Sequence, residues 1–231
     1  MLSSCSLQGT GDVTGNIKYS QDELKPSEFN NIHIEVVADV YYTQNDGNEH
    51  DVKLDFSAIK DASVAQKMKE QTKVVYRCGA VEIGQDGRIN GQNLKENQRL
   101  KIYITSPDLL KVHLEGVGTF NADTINTDSL DIDNEGVGSV YIKQILANKV
   151  MVDNEGVGSV KIGLFKGGNL DIDNEGVGSV KARVDCHSVD AKLEGVGSIT
   201  LSGTTHFYHK DRDGIGSFHV GDLKVLSQKK K

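Results

Sequence analysis

Glu155-Gly156-Val157-Gly158-Ser159 is one copy of a phrase that the chain repeats. The same five residues stand at 135–139, 175–179 and 194–198. Glu115-Gly116-Val117-Gly118-Thr119 precedes them and Asp213-Gly214-Ile215-Gly216-Ser217 follows. The first glycines, 116, 136, 156, 176, 195 and 214, are spaced by 20, 20, 20, 19 and 19 residues. A fixed period near 20 marks a solenoid, in which no repeat buries its own apolar face and each must stack on its neighbours.

Aligned on the glycines, the laps show apolar columns. Six residues before the first glycine stand Leu110, Leu130, Val150, Leu170 and Val189, and four before it Val112, Ile132, Val152, Ile172 and Ala191. Four after it stand Phe120, Val140, Val160, Val180, Ile199 and Phe218. Stacked strands about 4.8 Å apart turn such columns into aliphatic ladders up an axis. A lap of 20 residues has roughly 66 Å of contour, enough for two or three short strands with corners. The expected fold is all-β: a single-stranded β-helix, right-handed by the general rule for crossovers. The corner triplets Gly136-Val137-Gly138, Gly156-Val157-Gly158 and Gly176-Val177-Gly178 read as tight bends. Their glycines supply positive φ and room for crowded backbones. Their valines are expected to point inward and staple the corner, which would make Val157→Asp one of the most damaging changes.

Composition agrees with a turn-rich β protein, since 231 residues include 25 glycines but only 2 prolines. A net charge of −7 argues against a nucleic-acid partner, which calls for clustered Lys and Arg. The only basic run is Lys229-Lys230-Lys231, and no stretch approaches the roughly 20 apolar residues of a membrane-spanning helix. Three cysteines make no disulfide framework, and Cys78 and Cys186 are expected to be buried thiols outside any disulfide. Cys5 differs. It closes Leu2-Ser3-Ser4-Cys5, which resembles the lipobox of bacterial lipoproteins, with only four residues before the cysteine. The expectation is lipidation at Cys5 and a membrane partner through that anchor, with Gly9 to Gly15 as part of a flexible tether.

Before the laps, Ile32, Ile34, Val36, Ala38, Val40 and Tyr42 alternate as in a strand. A turn at Asn45-Asp46-Gly47-Asn48 and a return strand at 52–56 follow. Residues 58–71 carry helical spacing, 73–83 alternate again, 90–97 read as a polar loop, and Leu100, Ile102 and Ile104 form another strand. These strands would cover or extend the lower end of the coil. At the other end, Thr204 to Asp213 departs from the columns and brings in Phe207 and Tyr208, which suggests a cap. The chain thus divides into an N-terminus and tether (1–27), a β-rich part with a short helix (28–107), the β-helix laps (108–222) and a tail (223–231).

Three segments taken in order carry a resemblance. They are Phe29-Asn30-Asn31-Ile32 running into Asp39-Val40-Tyr41-Tyr42-Thr43-Gln44, then Leu100 through Ser106-Pro107, then the Gly-Val-Gly-Ser laps. Together they resemble the head-GIN putative auto-transporter adhesin domains of bacteria, over about residues 28–222. The resemblance implies a β-helix of the bacterial cell envelope, lipid-anchored at the outer membrane with its face open, and an adhesin's partner such as an extracellular glycan or protein. It carries over no catalytic residue. Segment 57–97 is longer than the family pattern, and serine follows the second glycine where family members often have an acid.

The chemistry-bearing candidates are the acids before each corner: Asp133 and Glu135, Asp153 and Glu155, Asp173 and Glu175. Stacked in register about 4.8 Å apart, like charges repel by roughly 1 kcal/mol in water and 3–4 at an effective dielectric near 20. Such a row is either a solvated face with asparagines 134, 154 and 174 laddering by amide hydrogen bonds, or a site for a divalent cation, with Ca²⁺ the natural choice. His113 below and Lys192 above occupy the Asp position of the flanking laps, so the row is three laps long and bracketed by counter-charges. The Gly-Gly-x-Gly-x-Asp repeat of calcium-binding β-rolls is absent. A polysaccharide hydrolase or lyase is the alternative from another class. It is disfavoured because the acids repeat with the lap instead of converging, and because aromatic platforms for sugars look scarce, with no Trp. A structural scaffold is the third reading. His206, His209 and His219 near the C-terminus read as surface histidines in preference to a zinc site, and no other cofactor is indicated.

Overall fold

The computed structural model of the chain describes residues 28–86 and 98–226. Cys5 with its tether, the expected loop at 90–97 and the terminal lysines lie outside them.

The fold is a β-solenoid of about six turns with laps of about 20 residues. From Val137–Asn154 (β10) through Val157–Asn174 (β11), Val177–Leu193 (β12) and Val196–Arg212 (β13), each lap is one long strand, broken only at its Glu-Gly corner. Each of these laps pairs parallel with the next, with one extra residue of β11 bulged out between Ile162 and Phe165: Val140 faces Val160, Val160 faces Val180, and Val180 faces Ile199. Two walls run up the axis. One carries the arm before the corner, with Ile132, Val152, Ile172 and Ala191 buried inward. The other carries the arm after it, with Phe120, Val140, Val160, Val180 and Ile199 inward. Each buried Val or Ile contributes roughly 1.5–3 kcal/mol. In the outermost of these columns Leu110 is only half-buried, and its neighbour Leu109 is the buried residue.

The laps begin earlier than the glycines show. Asn31–Ile34 (β1) and Val37–Gln44 (β2) form a lap below Lys111–Leu114 (β7) and Val117–Asn126 (β8), with His33 against His113 and Val40 against Phe120. Lower still lie Ala80–Gln85 (β5) under β1 and Leu100–Ser106 (β6) under β2. The coil is therefore not threaded in simple chain order, because its lowest described lap comes after β1 and β2 in sequence. Asp51–Asp55 (β3) and Thr72–Arg77 (β4) close that end by pairing antiparallel with β6 and β5. Ala62–Gln71 (α1), capped by the Asp61 carboxylate on the Ser63 and Val64 N–H groups, buries Met68. Ser129–Asn134 (β9) completes the stack between β7 and β10.

The corner valines are not in the core. Val137, Val157 and Val177 are 54, 52 and 53% exposed. The chain bends at the corner glycine without shifting the alternation of faces: Asn134, Gly136 and Val140 are buried, and Glu135 and Val137 point out. The glycines answer to space more than to dihedral angle. A Cβ on Gly136 would stand 2.2 Å from the Gly116 carbonyl oxygen, and one on Gly138 2.0 Å from that of Gly118. Of these corner glycines only Gly118 and Gly158 have positive φ, 150° and 159°.

At the upper end Thr204 to Asp213 does not leave the coil. β13 stays in register with β12 from Val196 to Arg212, and Ile215–Val225 (β14) adds a further arm. Backbone pairing continues where the apolar column stops, since ladder hydrogen bonds do not depend on side chains. Tyr208, Phe218, Val220 and Leu223 lie half-buried against the last core residues, and Phe207 is exposed. Cys186 is buried as expected, whereas Cys78 is exposed; they do not pair with each other.

Candidate functional site

Alternation carried through the corner sorts outward side chains into columns. On the wall before the corner one column reads, from below, Glu82, His33, His113, Asp133, Asp153, Asp173, Lys192. The structure thus brings the three expected Asp residues together in adjacent rungs. Glu135, Glu155 and Glu175 stand two residues on, in a corner column that also takes in Glu35, Glu115, Glu194 and Asp213.

The bracketing charges are engaged. His113 Nε2 lies 3.8 Å from Asp133 and 3.2 Å from Glu135, and Lys111 Nζ is 3.5 Å from Asp133. Lys192 Nζ lies 3.6 Å from Asp173 and 2.8 Å from Glu194. Among the described residues no cation pairs with Asp153. Its Oδ1 is out of solvent and lacks a hydrogen-bond partner. Partial burial, then repulsion from Glu155, Asp133, Asp173 and Glu175, pushes its carboxyl up to about 6. Glu175 is also raised, chiefly by Asp173.

Between the two acidic columns runs a buried amide ladder. Asn134 Nδ2 donates to Asn154 Oδ1 at 2.7 Å, and Asn154 Nδ2 donates to Asn174 Oδ1 at 2.5 Å. The asparagines ladder as expected, but inside the core instead of on a solvated face. Leu114 and Leu193 close the column below and above. On its outer flank the Val137, Val157 and Val177 column forms an exposed apolar stripe beside the corner carboxylates. A shallow depression of about 390 Å³ runs there among Glu155, Glu175, Glu194 and the adjoining valines.

The other wall carries a surface that the glycine alignment does not reveal. Its outer column reads Tyr103, Tyr41, Asn121, Tyr141, Lys161, Lys181. The Tyr41 and Tyr103 rings stack with centroids 5.4 Å apart and 21° between planes. Lys161 Nζ sits 5.2 Å from the Tyr141 centroid, in cation–π contact. The three tyrosines and two lysines are exposed, and beside them Ser139 and Ser159 share a 3.0 Å hydroxyl contact. Tyr141, Lys161 and Lys181 are readable at 20-residue spacing, but Tyr41 and Tyr103 lie in laps without Gly-x-Gly. His206, His209 and His219 do not gather into a metal-holding group among the described residues, and His219 Nε2 contacts Ser217 at 2.9 Å.

No curated protein matches the chain. A solved structure described as a putative adhesin from Bacteroides fragilis NCTC 9343 is similar to it. That structure has 26% identity and a TM-score of 0.65 over 85% of this chain and 94% of its own. Another putative adhesin, from Parabacteroides distasonis ATCC 8503, matches at 16% identity and a TM-score of 0.46, over 88% of this chain and 94% of its own. The family described as "Putative auto-transporter adhesin, head GIN domain" matches residues 28–164, more than half of the sequence, and the chain belongs to that family.

Proposed function

We propose that the protein is a non-enzymatic adhesin of the cell envelope that binds an extended, anionic glycan along the Tyr103–Lys181 column. The observation that carries this reading is the ordered run of three exposed tyrosines and an asparagine, followed by two lysines, on one wall. Aromatic faces accept the C–H faces of sugar rings, the tyrosine hydroxyls and Asn121 offer hydrogen bonds, and the lysines meet carboxylate or sulfate groups. Rungs about 4.8 Å apart let one polymer touch several in succession. The family's adhesin description supports a cell-envelope or surface placement. On the same reading Cys5 is the lipid attachment site, testable by metabolic labelling with a radioactive fatty acid and loss of label in Cys5→Ala. Protease shaving of intact cells assigns the membrane face.

Isothermal titration with polygalacturonate and with heparin, alongside a reducing-sugar assay, tests the binding. Binding without product, weakened in Tyr41→Ala and in Lys161→Glu/Lys181→Glu, supports it. Formation of product, or binding unchanged in those variants, overturns it.

A second reading places a divalent cation, with Ca²⁺ the candidate, on the acidic row. What favours it is Asp153, a partly buried carboxylate between two others with no cation beside it among the described residues. Absence of Ca²⁺ binding at about millimolar concentration removes it.

A further inference from the structure

At the lower end of the acidic column the donor set changes from oxygen to nitrogen. His33 on β1 and His113 on β7 are register partners in neighbouring laps, and their rings stack 4.4 Å apart at 13°. Both Nε2 atoms are out of solvent, and among the described residues neither has a hydrogen-bond partner. Carboxylates nonetheless crowd them. Glu115 Oε1 stands 3.2 Å from His33 Nε2 and 3.4 Å from His113 Nε2. Glu135 Oε1 stands 3.2 Å from His113 Nε2. The ligand atoms of His33, His113 and Glu115 lie within 4.8 Å of one another.

Two imidazolium rings stacked in this way would repel each other. Two neutral rings leave a buried pair of nitrogens unsatisfied beside unneutralised carboxylates. One divalent ion answers both problems. Ligands of a tetrahedral Zn²⁺ shell, at bonds of about 2.0–2.2 Å, stand roughly 3.3 Å apart. The nitrogen–oxygen separations here fall at that value. We propose that His33, His113 and Glu115, with the fourth position open to solvent, form a site for a divalent transition-metal ion of the zinc type.

The imidazole donors select this class over Ca²⁺, which takes oxygen ligands. The stacked rings must turn about their Cβ–Cγ bonds to aim both lone pairs at one point, a broad and inexpensive torsion. Glu115 and Glu135 are more than two-fifths exposed, which gives the ion a way in. A bound ion here would do at the lower end of the acidic column what Lys192 does at the upper end.

The test uses the full chain, stripped with EDTA, dialysed and titrated with Zn²⁺ against a chromophoric chelator. One ion per chain is expected. Replacing an outer-shell partner in metal sites costs about 10–100-fold in affinity, so loss of a ligand in H33Q, H113Q or E115Q should cost at least roughly tenfold. His206→Gln should change nothing. E115Q alters an exposed group and serves as the decisive variant if a histidine replacement unfolds the chain. Co²⁺ substitution should show the visible d–d bands of a four-coordinate site. A chain that takes up no Zn²⁺, or whose uptake is equal in E115Q and the parent, overturns the proposal.

Discussion

A Cβ built on Gly158 would lie 1.6 Å from the carbonyl oxygen of Gly138, the residue directly beneath it in the stack. The obstacle is backbone, which cannot swing aside as a side chain would. Gly158→Ala is therefore expected to cost about 3 kcal/mol or more, read as a fall in the midpoint of urea unfolding. Val157, one residue away and pointing to solvent, should tolerate Val157→Thr within about 0.5 kcal/mol. A large loss in the threonine variant would place the valine back in the core.

The asparagine ladder should behave as a unit. Asn154→Ala removes the middle rung and leaves the Asn134 amide and the Asn174 carbonyl buried without their partner, at a cost of about 1–3 kcal/mol for each unsatisfied group. Changing all three asparagines to leucine, the residue that Leu114 and Leu193 already place at the column ends, should recover much of that loss. Thermal melts of the single and triple variants decide it. A triple variant as damaged as the sum of three singles would refute the ladder's cooperativity.

Asp153 fixes a pH dependence. Its folded-state pKa of about 6 lies above the ordinary 3.8, so between those values the folded chain holds more proton than the unfolded one. Stability should accordingly rise as pH falls from about 7 toward 4, with Glu175 acting in the same direction. Below about 4 the trend should reverse. There Glu82, held low by its contact with Arg77, and Asp55 and Asp61, held low by Ser57 and Ser63, become protonated and lose what stabilises them. Asp153→Asn should raise the melting temperature at pH 7 and leave it nearly unchanged at pH 4, in EDTA throughout. Equal effects at both pH values would remove the electrostatic explanation.

Glycan binding along the Tyr–Lys column should weaken with salt only in part. The lysine contribution is screened within about 8 Å at physiological ionic strength, while ring stacking is not. Titration from low to high NaCl should therefore reach a plateau in the parent that Tyr41→Ala lowers. Loss of all binding at high salt would leave the tyrosines without a role.

Much of the fold was legible because a solenoid writes its period into the chain. Leu130, Val150, Leu170 and Val189 recur at lap spacing, and each is buried. The lap at 31–44 escaped that reading since Val36 and Ala38 stand where later laps have glycine. There β1 pairs with β5 only from Asn31 against Ala80 to Ile34 against Ile83, and β2 with β6 only from Ala38 against Leu100 onward. The His33–His113 pair was hidden with it, although His33-x-Glu35 echoes His113-x-Glu115 in the sequence.

Sequence alone determined the period, the aliphatic ladders, the three-lap acidic row and the charges that bracket it, because each of these is a spacing along one chain. Tertiary structure decided which way the corner faces. Glu-Gly-Val-Gly-Ser looks the same whether its valine turns in or out, and only a bend that keeps the alternation of faces in step turns Val157 to solvent. It also decided what meets across laps: Tyr41 with Tyr103, and His33 with His113. Those residues are 62 and 80 positions apart in sequence, and stacking of the laps brings them to neighbouring strands.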